Sequence, residues 1–375
     1  MYEPTGRQTP HFAFLWPALA AASASEIVSS FAQQIIKMSG VSGADASREP
    51  AWATPNTVAL ELRTVRLRDF SSAERGLPTL LCAPFALHSA VVADLAPEHS
   101  LVECLRAAGL SRLFATHWRS ATDSMRFLTI DDYLADLNVL VDHLGGYVDL
   151  VGLCQGGWLS VMYAARFPAK VRKLVIAGAP IDITATPSGL TTITDATPLS
   201  LFQELVMLGG GRVLGHAVQN FWGPEQLARE DLHRLLQARE PIDSSAFAQL
   251  EETFRAWYAW TVDLPGTYYL EVIEKLYKRN ELASGRFVAL GQRLDLKGVH
   301  APLYLLAARD DELVAPAQVF ATEHLVSTPA RLIHKEKIDG RHLGLFIGRD
   351  TLAKTWQQIA HWLEPAEWPA AVGDR

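Results

Sequence analysis

The sequence predicts an α/β fold in which a mostly parallel sheet is flanked by helices. Short apolar segments typical of buried strands alternate with amphipathic segments typical of helices, as in sheets built from strand–helix–strand units. Apolar residues occupy 49% of the 375 positions, which is enough for one large core. In chain order we predict a hairpin at 58–67, strands at 79–84 and 112–117, a helix at 130–144, strands at 148–151 and 173–178, strands at 302–308 and 331–334, and a closing helix at 351–363.

The same pattern divides the chain into four segments. We predict an N-terminal helix and linker at 1–56, the first part of the α/β core at 57–182, an inserted helical cap at 183–296 and the second part of the core at 297–375. The cap is predicted because the alternation of strands and helices stops there and aromatic residues accumulate. Such a cap excludes water and shapes a pocket; the alternative is a helical subdomain that serves stability alone.

The N-terminal segment carries two further patterns. The apolar run at 12–22 is similar to a signal peptide, but its basic start is weak and Pro17 interrupts it. The run is too short to span a membrane. Apolar side chains at 27–36 recur at helical spacing, which predicts an amphipathic helix that ends at Gly40 and packs on the core or on a second copy of the chain.

The charge and the cysteine content argue against several classes of function. A net charge of −7 is unfavourable for a protein that binds the phosphates of nucleic acid. The three cysteines, Cys82, Cys104 and Cys154, are widely spaced, fit a reducing compartment and offer no zinc-binding spacing. We therefore expect a cytoplasmic protein that holds no metal and no other resident cofactor.

The most informative motif lies at 151–160. It has the G-x-S-x-G spacing of a nucleophile elbow, with Cys154 in the place of the serine. An apolar strand precedes the motif and a helix follows it, which is the context that an elbow requires. Gly152 and Gly156 allow strand and helix to approach closely, so that Cys154 is held in a tight, exposed turn. The alternative is a buried structural cysteine in a glycine-rich turn.

A cysteine nucleophile narrows the chemistry. An acyl group on Cys154 would be a thioester, so its exchange with another thioester is nearly isoenergetic. Taking the acyl group from an oxygen ester would run uphill. The start of the following helix favours a thiolate and offers backbone N–H groups to an oxyanion. The motif therefore favours acyl transfer from a thioester.

A nucleophile of this kind needs a base, and the base needs an orienting acid. In elbow folds the chain order is nucleophile, acid, histidine. Asp311 follows the predicted strand at 302–308 and is the candidate acid, with Asp310 and Glu312 as alternatives. His342 follows the next predicted strand and is the only one of twelve histidines with all these features before it. A surface histidine in a polar loop is the alternative for His342.

Backbone N–H groups are predicted to form an oxyanion hole. One belongs to Gln155, directly after the nucleophile. The other belongs to Phe85 or Ala86, in the loop that follows the strand at 79–84. His88 in the same loop is a candidate substrate contact, with a role at the start of a helix as the alternative.

These residues belong to a longer series of motifs. Besides 152–157, the series includes 94–102, 118–119, 124–133, 179–182, 280–296, 311–314 and 342–345, and it covers about residues 55–365. In content and order it resembles the polyhydroxyalkanoate synthases, particularly the short type that works with a second subunit. The resemblance implies an α/β-hydrolase fold with Cys154 as acyl carrier, His342 as base and Asp311 as the partner of that base.

Several positions depart from the pattern of those synthases. Arg341 stands where a glycine usually precedes the histidine, Glu312 stands where a histidine usually follows the acid, and Trp158 replaces a small residue. We expect the charge of Arg341 to lower the pKa of His342 and to bind a substrate carboxylate or a CoA phosphate. Trp158 and Asp182 are further candidate substrate contacts. The segments 154–155 and 179–182 also resemble intracellular polyhydroxyalkanoate depolymerases.

The sequence therefore predicts an acyltransferase that moves 3-hydroxyacyl groups from CoA thioesters to a growing polyester. The CoA thioester would be a substrate, and the protein would act as a homodimer or with a second synthase subunit, in the cytoplasm or on polyester granules. We expect no nucleic-acid partner and no membrane span. The same triad would also serve a hydrolase, either a depolymerase or a thioesterase. A third interpretation is a non-catalytic protein associated with granules.

Overall fold

One central sheet organises the part of the chain that the computed structural model describes, residues 49–222 and 228–364. Its eight strands are β1 (Thr57–Glu61), β2 (Val65–Asp69), β3 (Thr79–Cys82), β4 (Leu113–Trp118), β5 (Val148–Leu153), β6 (Val171–Ala177), β7 (Leu303–Ala308) and β8 (Ile333–Ile338). Their order across the sheet is β1-β2-β4-β3-β5-β6-β7-β8. The hairpin β1–β2 is antiparallel at one edge and pairs antiparallel with β4, whereas the strands from β4 to β8 are parallel to one another.

Helices fill the connections between the strands. The α-helices are α1 (Leu101–Ala107), α2 (Ile130–His143), α3 (Gln155–Arg166), α4 (Gly189–Ala196), α5 (Leu199–Leu208), α6 (Gly215–Trp222), α7 (Arg229–Leu236), α8 (Ser245–Ala259), α9 (Gly266–Glu271), α10 (Pro316–Phe320), α11 (Thr322–Leu325), α12 (Gly344–Ile347), α13 (Arg349–Thr351) and α14 (Gln357–Leu363). Short 3₁₀ helices lie at Ala90–Ala93, Asp123–Met125, Pro168–Lys170, Leu296–Gly298 and Ala330–Leu332.

The central strands are buried on both faces. Every residue of β3, β5 and β7 is buried, as expected for parallel strands that helices cover from both sides. Because these strands are parallel, their carboxyl ends lie at one edge of the sheet. The loops that follow them can therefore meet there, which is where ligand sites form in open α/β sheets.

Helix α2 shows how the local sequence sets the bounds of an element. The Thr129 side chain accepts a hydrogen bond from the N–H of Asp132, whose own side chain accepts one from the N–H of Thr129. This capping box satisfies two N–H groups that the first turn leaves unpaired. The apolar residues that predicted the helix are buried in the structure. The helix predicted at 130–144 is thus confirmed, with its end at His143.

The segment between β6 and β7 is mainly helical, as the sequence predicted. It contains α4–α9 and two short antiparallel ladders, Arg212–Val213 with Leu264–Pro265 and Val288–Ala289 with Gln292–Arg293. The first ladder joins the end of α5 to the start of α9. Helix α9 continues as a π-helical stretch, Val272–Lys278. The domain boundaries at 182/183 and 296/297 stay predictions.

Two predicted elements near the end of the described residues differ from the structure in extent. Strand β8 begins at Ile333 and continues to Ile338, beyond the predicted end at 334. Its outer half carries charged residues on an edge strand, so the apolar pattern that marks a buried strand is missing there. The closing helix begins at Arg349 instead of 351 and includes a π-helical stretch, Leu352–Trp356.

The predictions for 12–22 and 27–40 lie outside the described residues. The last part of the predicted linker is described and is attached to the core. Thr54 donates hydrogen bonds from its N–H and from its hydroxyl to the buried carboxylate of Asp94, both at 2.8 Å. Within 49–222 and 228–364, every helix is too short or too polar to cross a membrane.

Candidate active site

Cys154 lies at the turn between β5 and α3, where the elbow was predicted. Its backbone has a φ of 49° and a ψ of −120°, a combination that residues other than glycine rarely adopt. The N–H of Cys154 donates to the carbonyl of Ala177 at 2.8 Å, and the N–H of Gly157 donates to the carbonyl of Cys154 at 2.8 Å. Contacts on both sides therefore maintain a strained residue at the carboxyl edge of the sheet, as is typical of functional turns.

Glycines make this turn possible because their neighbours leave no room for a β-carbon. A β-carbon on Gly156 would lie 2.0 Å from the carbonyl oxygen of Cys82. One on Gly157 would lie 2.4 Å from the β-carbon of Ala179. Helix α3 is therefore pressed against the end of β3 and against the loop after β6. The close approach predicted from the glycine spacing is confirmed.

The side chains of His342 and Asp311 meet in the loops after β7 and β8. Nδ1 of His342 lies 2.7 Å from Oδ2 of Asp311, and the two side chains are only 3% and 1% exposed. The second oxygen of Asp311 accepts the backbone N–H groups of Leu313 at 2.9 Å and Val314 at 2.8 Å. These bonds fix the carboxylate, so Asp311 has the geometry expected of the orienting acid. The alternative acid Asp310 is exposed.

The imidazole of His342 interacts electrostatically with both Asp311 and Cys154. Burial lowers the pKa of His342, but the Asp311 carboxylate and Cys154 outweigh burial, so the pKa stands well above its ordinary value. Among the described residues other than Cys154, none forms a hydrogen bond with the buried Nε2 atom. That nitrogen is therefore available for proton transfer.

The expectation that Arg341 lowers the pKa of His342 is wrong. The pKa is raised, because the Asp311 carboxylate, which touches the ring directly, and Cys154 outweigh the lowering by burial. Arg341 itself is partly exposed. Its predicted contact with a substrate carboxylate or a CoA phosphate stays a prediction.

Glu312 is a second buried carboxyl group at this site, and the sequence suggested it only as an alternative acid. One of its oxygens accepts the backbone N–H of His342 at 3.3 Å. The other is buried, and no described residue donates a hydrogen bond to it. Burial raises the pKa of Glu312, and the charge of Asp311 raises it further. The 30 residues between Glu312 and His342 explain why no local pattern predicts this contact.

The N–H groups predicted to bind an oxyanion lie near the start of α3. Within the described residues, the N–H groups of Gln155, Phe85 and Ala86 have no hydrogen-bond acceptor. The loop that carries the last two is fixed next to the elbow, since Trp118 donates its Nε1 hydrogen to the carbonyl of Ala83 at 2.8 Å. The predicted oxyanion hole fits this arrangement and stays a prediction.

Two tyrosines of the helical segment at 183–296 lie over the elbow. They are Tyr268 in α9 and Tyr277 in the π-helical stretch that continues it. Burial raises the pKa of both hydroxyls, and the charge of Cys154 adds to the rise in each case. The ring of Tyr268 also contacts that of Phe85, with centroids 5.3 Å apart. The helical segment thus packs on the loop after β3, close to the elbow. The sequence did not single out Tyr277, which lies in an ordinary helical run of apolar residues.

His88 and Asp182 are engaged with other protein groups. The ring of His88 packs against those of Trp257 and Tyr258 in α8, with centroids 5.1 and 4.4 Å away, and burial lowers its pKa to about 4. The carboxylate of Asp182 accepts hydrogen bonds from the N–H of Thr184 at 3.0 Å and from the side chain of Asn280 at 2.8 Å. These contacts order the loops beside the site, and the predicted substrate contacts of both residues stay predictions.

Trp158 is 1% exposed, and no described residue accepts a hydrogen bond from its Nε1 atom.

The two cysteines outside the elbow, Cys82 and Cys104, are buried. Burial raises the pKa of Cys82 to about 12 and that of Cys104 to about 11, so neither thiol is prepared to react. In the described segments no three His, Cys, Asp or Glu side chains converge in a way that could hold a metal ion.

The chain is similar to one protein family and to several known proteins. A family model described as "Protein of unknown function (DUF3141)" matches residues 73–367. The poly(3-hydroxyalkanoate) polymerase subunit PhaC of Haloferax mediterranei is 25% identical over 334 residues, which are 82% of this chain and 63% of that protein. The protein of the same name from Synechocystis sp. is 28% identical over 77% of this chain and 79% of its own length.

A similar solved structure is that of a monoacylglycerol lipase from Paleococcus ferrophilus. It has a TM-score of 0.52 and 16% sequence identity, and the match covers 80% of this chain and 98% of the lipase. The predicted α/β-hydrolase fold is therefore confirmed. The resemblance to polyhydroxyalkanoate synthases is confirmed by relatives that are named poly(3-hydroxyalkanoate) polymerase subunits.

Proposed function

The chain belongs to the DUF3141 family, and we propose that it is an acyltransferase that moves 3-hydroxyacyl groups from CoA thioesters to the hydroxyl end of a polyester. The observation that carries the proposal is the 2.7 Å contact between His342 and Asp311 beside an elbow that bears a cysteine. The polymerase relatives suggest the substrate class. Because the chain spans 63% of the Haloferax relative, substrates and partners are part of the proposal.

The first half-reaction loads the acyl group on Cys154. Nε2 of His342 takes the proton of the Cys154 thiol, which gives a thiolate and an imidazolium, and the raised pKa of His342 favours this transfer. The thiolate attacks the thioester carbonyl, a bond from Sγ to the carbonyl carbon forms, and the bond to the sulfur of CoA breaks. The leaving CoA thiolate takes the proton from His342. The N–H groups of Gln155 and of Phe85 or Ala86 would bind the transient oxyanion.

The second half-reaction transfers the acyl group to a hydroxyl. Neutral His342 takes the proton of the acceptor hydroxyl at Nε2 while the oxygen attacks the acyl-cysteine. The new ester bond forms, the bond to Sγ breaks, and the thiolate and the imidazolium are restored. Asp311 keeps the proton on Nδ1 throughout, which directs both transfers to Nε2.

The surroundings of Cys154 favour an organic hydroxyl over water as the acceptor. Cys154 itself is partly exposed, but the side chains of His342 and Asp311 are almost fully buried. Burial of the base and of its partner limits the access of water to the nitrogen that would activate it. Hydrolysis by the same triad is the outcome that the experiment below must separate from transfer.

A second subunit and a polyester granule are further parts of the proposal. The similar proteins are named as subunits, which supports an assembly of this chain with another subunit or with itself. Light scattering of the purified chain, and its sedimentation with isolated polyester granules, test these two points separately from the chemistry.

The decisive experiment is to incubate the purified chain with 3-hydroxybutyryl-CoA and to follow three products. Free CoA reports the first half-reaction, insoluble polyester reports transfer, and free 3-hydroxybutyrate reports hydrolysis. We expect CoA release with polyester or soluble oligomer as the main product. Free acid in an amount equal to the released CoA would show a hydrolase. The control is Cys154→Ala, which must release no CoA above background.

A further inference from the structure

A small, partly open void lies beside Trp158, which is one turn of α3 after the nucleophile. Its volume is about 10 Å³, which is room for about one water molecule. Mostly apolar residues from three parts of the chain line it, together with the polar Asn280. They are Trp158 of α3, then Pro180, Ile181 and Ile183 of the loop after β6, and Leu276, Tyr277, Asn280 and Leu282 of the π-helical stretch and the residues that follow it. The void thus lies between the first turn of α3 and the helical segment over the elbow.

The void adjoins the helix whose N-cap is Cys154, because Trp158 of that helix lines it. Trp158 follows Cys154 by four residues, which is one turn of α3. Tyr277 lines the void, and the charge of Cys154 contributes to its raised pKa. The ring of Trp158 also approaches that of Tyr268, with centroids 6.4 Å apart. The charge of Cys154 also contributes to the raised pKa of Tyr268.

Packing alone does not account for a tryptophan at this position. The Nε1 hydrogen of Trp158 is buried, and no described residue accepts it. A buried donor without a partner is destabilising, and phenylalanine would fill much of the same space without a donor. The indole thus occupies the space beside the void, one turn of α3 after Cys154, although its Nε1 hydrogen has no acceptor among the described residues.

From this geometry we infer that Trp158 closes the inner end of the acyl site and restricts the acyl chain on Cys154 to short lengths. The inference rests on the proposed function, because it concerns the acyl group that Cys154 would carry. With a smaller side chain at 158, the space of the indole would join the void. The enlarged pocket would be lined by Ile181, Leu276 and Leu282, which suit the methylene groups of a longer chain.

The first test measures acylation of Cys154 by intact mass, with 3-hydroxyacyl-CoA thioesters of increasing length as probes. For the wild type we expect the rate to fall at least about tenfold from the butyryl to the octanoyl compound, since a filled pocket rejects added methylene groups. Trp158→Leu should recover most of that loss, and Trp158→Phe should be intermediate. Tyr163→Leu is the matched control, because it shortens a buried aromatic residue further along the same helix.

The second test does not depend on acyl transfer. Alkyl methanethiosulfonates of increasing length convert the Cys154 thiolate to a mixed disulfide and release methanesulfinate, and peptide mapping locates the label. We expect octyl labelling to be slow in the wild type and at least about tenfold faster in Trp158→Leu, with methyl labelling unchanged. Thermal unfolding of each variant confirms that it is folded, and Trp158→Phe gives the comparison if Trp158→Leu is not.

The outcomes separate the two proposals. If no thioester acylates the wild type but the alkyl reagents show the length dependence, the proposed function fails and the pocket assignment stands. If folded Trp158 variants keep the wild-type length profile with both probes, the inference is overturned. It is also overturned if Tyr163→Leu shifts the profile as much as Trp158→Leu, because the effect would then be a general loosening of α3.

Discussion

The carboxyl group of Glu312 accepts the backbone N–H of His342 across 3.3 Å, next to the contact between the His342 ring and Asp311. Two consecutive acidic residues thus hold one histidine in different ways: Asp311 holds the ring and Glu312 holds the chain. Burial, and the charge of Asp311, raise the pKa of Glu312. The second contact does not need a negative charge on Glu312, since a neutral carbonyl oxygen also accepts an N–H.

This difference gives the first prediction, for Glu312. Glu312→Gln keeps an acceptor for the His342 N–H, so kcat should stay within about twofold of the wild type. Glu312→Ala leaves that buried N–H unpaired, which should lower the free energy of unfolding by about 1–3 kcal/mol. We also expect it to reduce kcat about tenfold, because the histidine loop loses its anchor. Denaturant unfolding and steady-state kinetics check both variants, and equal effects of Gln and Ala would refute the positioning role.

The second prediction concerns the acid. Asp311→Asn should fold normally, because the remaining oxygen can still accept the N–H groups of Leu313 and Val314. It should lower kcat by about 10²–10⁴-fold, because His342 loses the anion that fixes its tautomer. Asp310→Asn is the matched control and should be close to wild type, since Asp310 is exposed. A reversal of the two effects would move the acid by one position.

The third prediction concerns the nucleophile. Incubation with an acyl-CoA should add one acyl mass to the peptide that contains Cys154, and Cys154→Ala should abolish both the adduct and turnover. Cys154→Ser should be much slower, because a serine hydroxyl needs far more assistance from the base. Cys104→Ala is the control, and it should retain activity because that thiol is buried and donates to the carbonyl of Leu352. An adduct that maps to another cysteine would contradict the assignment.

The fourth prediction is that His88 makes the free energy of unfolding depend on pH. Burial lowers the pKa of His88 from 6.5 to about 4, so between these values the unfolded chain binds a proton that the folded chain does not. The free energy of unfolding should therefore be unaffected by His88 above about pH 6.5 and should fall as the pH decreases through this window. At about pH 5 the loss is about 2 kcal/mol.

His88→Phe should remove this part of the pH dependence. Urea unfolding at two pH values, one neutral and one near 5, measures it for the variant and the wild type. His300→Gln, at an exposed position, serves as the control and should retain the wild-type slope. An unchanged slope in His88→Phe would show that His88 does not titrate in this way.

The fifth prediction concerns the elbow. Gly156→Ala places a β-carbon 2.0 Å from the carbonyl oxygen of Cys82, which is backbone and cannot move without displacing β3. We expect a loss of several kcal/mol in the free energy of unfolding, about 3 or more, or no soluble protein. Gly344→Ala is the matched control, since its β-carbon would lie 3.4 Å from the carbonyl oxygen of Leu235, which is an ordinary contact. Thermal unfolding of the two variants measures the difference, and equal stabilities would contradict the prediction.

The features that the sequence predicted well are set by local rules. The elbow depends on glycines a few residues apart, and α2 depends on a capping box and on apolar residues at helical spacing. The pairing of Asp311 with His342 followed from the order of strands and loops along the chain. In each case the physical cause lies in the segment itself or in a regular connection of the fold.

The features that were missed depend on contacts between distant segments. Glu312 meets the His342 backbone only after β7 and β8 have paired, and Tyr277 approaches Cys154 only once the helical segment has folded over the sheet. The pKa of His342 was predicted in the wrong direction, because the prediction considered the adjacent charge of Arg341 and not the contact with the Asp311 carboxylate. The second half of β8 was not predicted as a strand, because an edge strand needs no apolar pattern.

The contact of Asp311 with Nδ1 of His342 has a consequence for the order of events in the proposed reaction. With Nδ1 occupied, one nitrogen must serve both the departing CoA and the arriving hydroxyl. Two molecules cannot use the same atom at once, so the first product has to dissociate before the second substrate can be activated. Initial rates measured against both substrates should therefore give parallel double-reciprocal lines, and the acyl-enzyme should accumulate whenever the acceptor is withheld.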